Sequence, residues 1–253
     1  MNSYKFFEQI ICINLLSRPQ RKNHAEEVFR KLHIPAIIHC VEKDENGGIR
    51  GCFKSHIEII KKAYNHQCHN VLIFEDDIEP TPSYSSTALD NCINFMKTDE
   101  SWDIFYLGFF TMNWDTNPLN TLSSSNMVTE HIVKYNPLAT HAYVLSRRGM
   151  KKILESYEKF IDTNTHYDIY LAKYANLESY CYVPMLFNQK MCMPSDVESG
   201  STLERFARHT QCKIVDEVNI FYKISLMKYW MEIHKWSIGF IIVILCISLV
   251  IIV

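Results

Sequence analysis

Four apolar residues, Val71-Leu72-Ile73-Phe74, run straight into three carboxylates, Glu75-Asp76-Asp77. The apolar run is too short for a helix and rich in strand formers, which predicts a buried strand. The carboxylates then sit at the strand's C-terminal end, the edge at which open α/β sheets bind ligands. Three packed carboxylates repel one another unless something positive lies among them. A hard divalent cation bridging to a phosphate is one answer. The plainer alternative is an acidic turn that closes the strand.

The surrounding pattern extends this strand into a layered fold. Residues 10–16 are a second apolar run, followed by Ser17-Arg18-Pro19 and apolar Ala25, Val28, Phe29 and Leu32 at helical spacing. A strand is predicted over 34–40, a polar loop with Gly47-Gly48 over 42–50, and a helix from Gly51 to Tyr64 with Phe53, Ile57 and Ile60 on one side. Strand–helix–strand order predicts an α/β layer fold with parallel pairing in its opening half. Further helices are expected over 84–96, 147–157 and 168–174. Strands are expected over 103–108, 127–133, 139–145 and 180–183, and an exposed loop over 111–126.

The chain has 253 residues and a formal net charge of −2, without the basic excess of a nucleic-acid binder. Its nine cysteines are spread singly with no CxxC pair, which predicts free thiols rather than a disulfide framework or zinc site. No Asn-x-Ser/Thr acceptor occurs, and Glu8 and Asn14 interrupt the N-terminal apolar run, so no signal peptide is expected. From Trp236 onward the chain is uncharged and almost wholly aliphatic, enough at about 1.5 Å per residue to span roughly 27 Å. Lys223, Lys228 and Lys235 precede this run and none follows it, which predicts a single-pass anchor with the main domain on the cytosolic side. The expected organisation is a globular domain over 1–205, a connector over 206–235 and a membrane anchor over 236–253.

Three more clusters have chemistry-bearing side chains. Asn14, Arg18 and Arg21 follow the first strand, where a helix N-terminus and a guanidinium suit an anion; solvated surface arginines are the alternative. Gly51, Ser55 and His56 open the next helix, with a backbone that admits close approach and two side chains able to bind a nucleotide or sugar hydroxyl. Asp168, in Tyr167-Asp168-Ile169-Tyr170, is either a helix N-cap or a base.

Taken together these segments resemble glycosyltransferase family 25, which includes bacterial lipopolysaccharide galactosyltransferases and collagen hydroxylysine galactosyltransferases. The resemblance rests on Ile13-Asn14-Leu15 with Arg18 and Arg21, on Gly51-Cys52 with Ser55-His56, and on Glu75-Asp76-Asp77. It continues through Ala142-Tyr143 with Ser146 and Gly149, Asp168 with Leu171, and Ser195-Asp196. It implies a GT-A fold, a Rossmann-like mixed sheet flanked by helices, that binds a UDP-sugar with Mn²⁺ or Mg²⁺ on its diphosphate.

The implied reaction is inverting transfer of a hexose, galactose or glucose, to a hydroxyl of a glycan, lipid-linked glycan or protein. Asp77 is the expected metal ligand, with Asp76 beside it or on the ribose or sugar, and Glu75 among the substrate contacts. Strand alternation argues that Asp76 and Asp77 do not share one role. Asp168 is the candidate base and Asp196 its rival. The competing reading is a degenerate transferase fold that serves as a membrane-tethered binding or scaffold protein.

Overall fold

The computed structural model describes residues 3–110 and 126–190, with isolated helical positions at 223, 226, 227, 230 and 234. Among the described residues no helix is long and apolar enough to cross a membrane. The aliphatic run at 236–253, the connector, Asp196 and most of the loop expected at 111–126 lie outside them.

The opening strand–helix–strand reading holds. Strand β1 (Gln9–Leu15) leads into helix α1 (Pro19–Leu32), strand β2 (Ile37–Val41), helix α2 (Gly48–Asn65) and strand β3 (Asn70–Glu75). Strand β1 pairs in parallel with both β2 and β3. The second strand starts later than expected because the chain first finishes α1. His33 takes a left-handed conformation with φ 54°, and Ile34 N–H donates back to the Phe29 carbonyl. Helix α2 starts three residues earlier than expected, at Gly48, immediately after Gly47 with φ +105°. The polar loop is therefore shorter than its composition suggested.

Next come β4 (Ile78–Pro80), α3 (Ser86–Thr98), β5 (Ile104–Phe110), β6 (Asn126–Met127) and β7 (Ile132–Lys134). The described chain continues through β8 (Leu138–Ser146), α4 (Arg147–Ser156), α5 (Tyr167–Lys173), β9 (Ser179–Tyr182) and β10 (Phe187–Gln189). The strand expected over 127–133 is split into β6 and β7, because Thr129 Oγ1 accepts from Ile132 N–H and makes a turn between them.

The main sheet has the order β2-β1-β3-β8-β5-β9-β7-β6, and β4 pairs antiparallel with β10 in a separate ribbon. Strand β8 runs antiparallel between β3 and β5, so the fold is a mixed α/β sheet with helices on both faces.

Strand β3 shows why its sequence is apolar at every position. Leu72 and Phe74 enter the core under α1 and α3, whereas Val71 and Ile73 enter the core under α2, α4 and α5. All four are fully buried. A strand covered on both faces has no polar side to show.

Candidate active site

The parallel strands β1, β2 and β3 end at one edge, and a cleft lies there between α1 and α2. Arg21, Gly51, Ser55, His56 and all three carboxylates of the triplet line it. Sequence positions more than fifty residues apart thus meet at one sheet edge.

Glu75 is the last residue of β3 and keeps the strand's alternation, facing the α2 side with Val71 and Ile73. Its Oε1 accepts a 2.7 Å hydrogen bond from Thr140 Oγ1 and lies 3.6 Å from His56 Nε2. Burial pushes the Glu75 carboxyl up, but His56 and the Thr140 hydroxyl more than offset this and hold it at about 2.

Asp76 turns to the α1 side. Its Oδ2 accepts from Asn14 Nδ2 at 2.6 Å, and its Oδ1 lies 2.6 Å from Arg21 Nη2. Asp77 also meets the Arg21 guanidinium and accepts from Gln189 Nε2 at 3.0 Å. Alternation had argued for separate roles for these two aspartates. The strand stops at Glu75, so the rule ends there, and both reach one cation. Burial raises the Asp76 carboxyl. Burial and the neighbouring charges of Glu75 and Asp76 push Asp77 up to about 7 despite Arg21.

Several of the residues expected at the ligand also have structural partners. His56 is buried; its Nδ1 shares a 2.8 Å hydrogen bond with the Tyr143 hydroxyl and its ring stacks on Tyr167 at 4.4 Å. Ser55 Oγ donates to the Gly51 carbonyl within α2 at 2.7 Å. Gly51 does not open α2 but lies in its first turns, where a Cβ would come within 3.0 Å of Asp44 Cβ. Its smallness admits the Asp44 loop. Arg18 holds the N-cap position of α1, and its carbonyl accepts from Asn14 Nδ2 at 3.3 Å.

Asp168 is not among the residues that line the cleft. Its Oδ2 accepts from Ala139 N–H at 3.1 Å, which ties the start of α5 to the start of β8. Thr140, Tyr143, Tyr167 and Gln189 complete the site. Tyr143 and Tyr167 stood inside recognisable motifs, whereas Thr140 and Gln189 carry no local signal. Their places depend on the antiparallel insertion of β8 and on the pairing of β4 with β10.

Among the described residues no group of three or more His, Cys, Asp or Glu side chains forms a ready metal cage. A less complete site is present. Asp77 Oδ1 is buried without a hydrogen-bond partner, and Asp76 stands beside it. One or two carboxylates, with phosphate and water oxygens completing the shell, is how Mg²⁺-like ions are commonly held. The donor set therefore fits a cation shared with a phosphorylated ligand.

Residues 46–171, which carry α2, the acidic strand end and the Asp168 helix, match the family model described as glycosyltransferase family 25 (LPS biosynthesis protein). The chain belongs to glycosyltransferase family 25. A glycosyltransferase 25 family member of Drosophila melanogaster is 26% identical over 174 residues, covering 58% of this chain and 28% of the relative. The counterpart in Drosophila pseudoobscura pseudoobscura is 24% identical over 198 residues, covering 67% of this chain and 31% of the relative. The family 25 chain thus spans less than a third of these curated relatives. A solved glycosyltransferase involved in glycosylation of the major capsid of PBCV-1 aligns at a TM-score of 0.47 and 14% identity, over 81% of this chain and 99% of that one.

Proposed function

We propose that this family 25 chain is a metal-dependent inverting glycosyltransferase with a GT-A-type domain, moving a hexose from a UDP-sugar to an acceptor hydroxyl. The observation that carries this reading is the acidic end of β3. Its three carboxylates open into a cleft at the ligand-binding edge of the sheet, and Asp77 Oδ1 is buried with no hydrogen bond. Asp77 and Asp76 would hold Mn²⁺ or Mg²⁺. When bound, that ion neutralises charge on the departing diphosphate. Glu75 is the most open of the three carboxylates, with 22% of its side chain exposed, and serves as an acceptor for a substrate hydroxyl.

Asp168 is the proposed base that takes the proton from the acceptor, with Asp196 as its rival. Its link to Ala139, next to the Thr140 that holds Glu75, supports a place near the reacting sugar. The aliphatic run at 236–253 is proposed to tether the domain to a membrane, with the domain on the cytosolic side. The acceptor is a glycan, a lipid-linked glycan or a protein.

To test this, the full chain is incubated with a panel of UDP-sugars and Mn²⁺, and released UDP and transferred sugar are read by mass spectrometry. Turnover of one donor, abolished in Asp77→Ala, is expected. No turnover with any donor would remove the proposal.

One observation favours a second reading. Arg21 already stands between Asp76 and Asp77 as an internal counter-ion. A fold neutralised in this way could serve as a tethered scaffold without metal. Under that reading Mn²⁺ leaves the melting temperature unchanged and no UDP-sugar is consumed.

A further inference from the structure

Glu75 is held from two directions by buried residues. Thr140 Oγ1 donates to its Oε1 at 2.7 Å, and His56 Nε2 stands 3.6 Å from the same oxygen. His56 is only 1% exposed. Its ring is fixed by the stack on Tyr167, with planes 15° apart, and by the 2.8 Å bond between Nδ1 and the Tyr143 hydroxyl. The Tyr143 hydroxyl in turn lies 3.3 Å from the Tyr167 hydroxyl, and all three residues are buried. The Nδ1 edge and one face of the ring are thus taken by protein, and Nε2 is turned toward Glu75.

The same unit reaches the second carboxylate of interest. Tyr167 immediately precedes Asp168 in α5. Asp168 Oδ2 accepts from the N–H of Ala139, the residue before Thr140, so consecutive residues of β8 hold Glu75 and Asp168. Ala139 takes φ 68°, a conformation that costs an alanine energy and persists only where the surroundings impose it. The bond to Asp168 and the strand pairing that follows are such surroundings.

We propose that His56, Tyr143 and Thr140 are positioning residues that fix the Glu75 carboxylate toward the substrate and keep it in register with Asp168, and that His56 makes no substrate contact of its own. This rests on the proposed transferase reading and adds to it. An enclosed His–Tyr–Tyr ladder has a structural role whatever the activity. What distinguishes positioning is that the rate of transfer, and not donor capture, depends on it.

The test uses the full chain with the donor it turns over. Thr140→Val removes one hydroxyl at nearly constant shape, Tyr143→Phe removes the partner of His56, and Thr140→Ser restores the hydroxyl. Misplacing a group at the reacting centre by about 1 Å can cost on the order of 100-fold in rate. Thr140→Val and Tyr143→Phe should each lower kcat at least ~10-fold while donor KM stays within about twofold, and Thr140→Ser should recover most of kcat.

In parallel, the imidazole ¹⁵N resonances of His56, assigned with His56→Gln, should move in Thr140→Val and in Glu75→Gln. Turnover at the wild-type rate in both Thr140→Val and Tyr143→Phe would overturn this inference alone. So would a rise in donor KM at constant kcat in either variant, or His56 resonances that stay fixed. Absence of wild-type turnover with every donor would remove the proposed function first, and this inference with it.

Discussion

Arg21 is the residue on which the charge of the site depends. Its guanidinium faces both Asp76 and Asp77, and its side chain is 11% exposed. Stripping one partner from a buried charge cluster costs about 3–5 kcal/mol. Arg21→Ala should therefore lower stability by an amount of that order in urea titrations. If the aspartates also serve a metal, Mn²⁺ should raise the melting temperature of Arg21→Ala more than that of the wild type, because the ion then takes over the neutralising role. Equal shifts in the two proteins would separate the aspartates from metal binding. The triplet and Arg21 were both legible in the sequence, but their mutual contact was not. The residues were assigned to a metal and to a phosphate separately, because nothing local showed that a helix side chain would turn onto the strand end.

Asp103 makes a second, structural prediction at the same scale. Its buried carboxylate meets Arg148 Nε at 2.6 Å, Lys152 Nζ at 2.6 Å and the Glu178 N–H at 2.8 Å. Burial alone would raise its carboxyl, but the Glu178 N–H and the two cations hold it below the usual value. A depressed native pKa means that the stabilising contribution is complete above the unfolded value, about 4, and is lost as pH falls through the native value. Asp103→Asn should thus be less stable than the wild type at pH 7, with the gap closing toward pH 3 in urea titrations. A gap independent of pH would contradict this account.

At the scale of elements, β3 shows both what the sequence displays and where that display ends. Its continuous apolar run announced a buried strand, and the structure shows Glu75 continuing the alternation on the α2 side. The strand's end at the carboxylates was visible, but not that Asp76 and Asp77, lying just beyond it, both turn onto Arg21. Strand β8 was visible as a strand, but its antiparallel entry between β3 and β5 was not, because pairing partners are set by long-range packing rather than by local pattern. The positions of Thr140 and Ala139 follow from that entry.

Gly149 belongs to this scale as well. It lies in the first turn of α4, where a Cβ would come within 2.2 Å of the Asp103 carbonyl oxygen. The clash is with backbone, so no side-chain rotation relieves it. Gly149→Ala should destabilise by about 1–3 kcal/mol or more, the range for overpacking a close contact. A lowered urea midpoint checks this, and an unchanged midpoint would show that α4 can slide on β5.

For the whole molecule, the division of labour follows the sheet. The parallel half, β2-β1-β3, supplies the cleft edge and the triplet, and the antiparallel β8 carries the residues that hold Glu75 and Asp168. The parallel half was readable because its strand–helix–strand order is local. The remainder was readable as elements but not as an arrangement. Asp196 and the aliphatic run at 236–253 lie outside the described residues, and the membrane anchor belongs to the proposal.

The central claim is that Asp77, at the acidic end of β3, binds a metal together with a nucleotide sugar. Calorimetric titration of UDP-sugar into the full chain, with and without Mn²⁺, tests it most directly. The account predicts saturable binding that requires Mn²⁺ and weakens at least ~10-fold in Asp77→Asn, since loss even of an outer-shell partner of a metal site costs roughly 10- to 100-fold. Equal binding by the wild type and Asp77→Asn, or no UDP-sugar binding by the wild type with Mn²⁺ present, would contradict it.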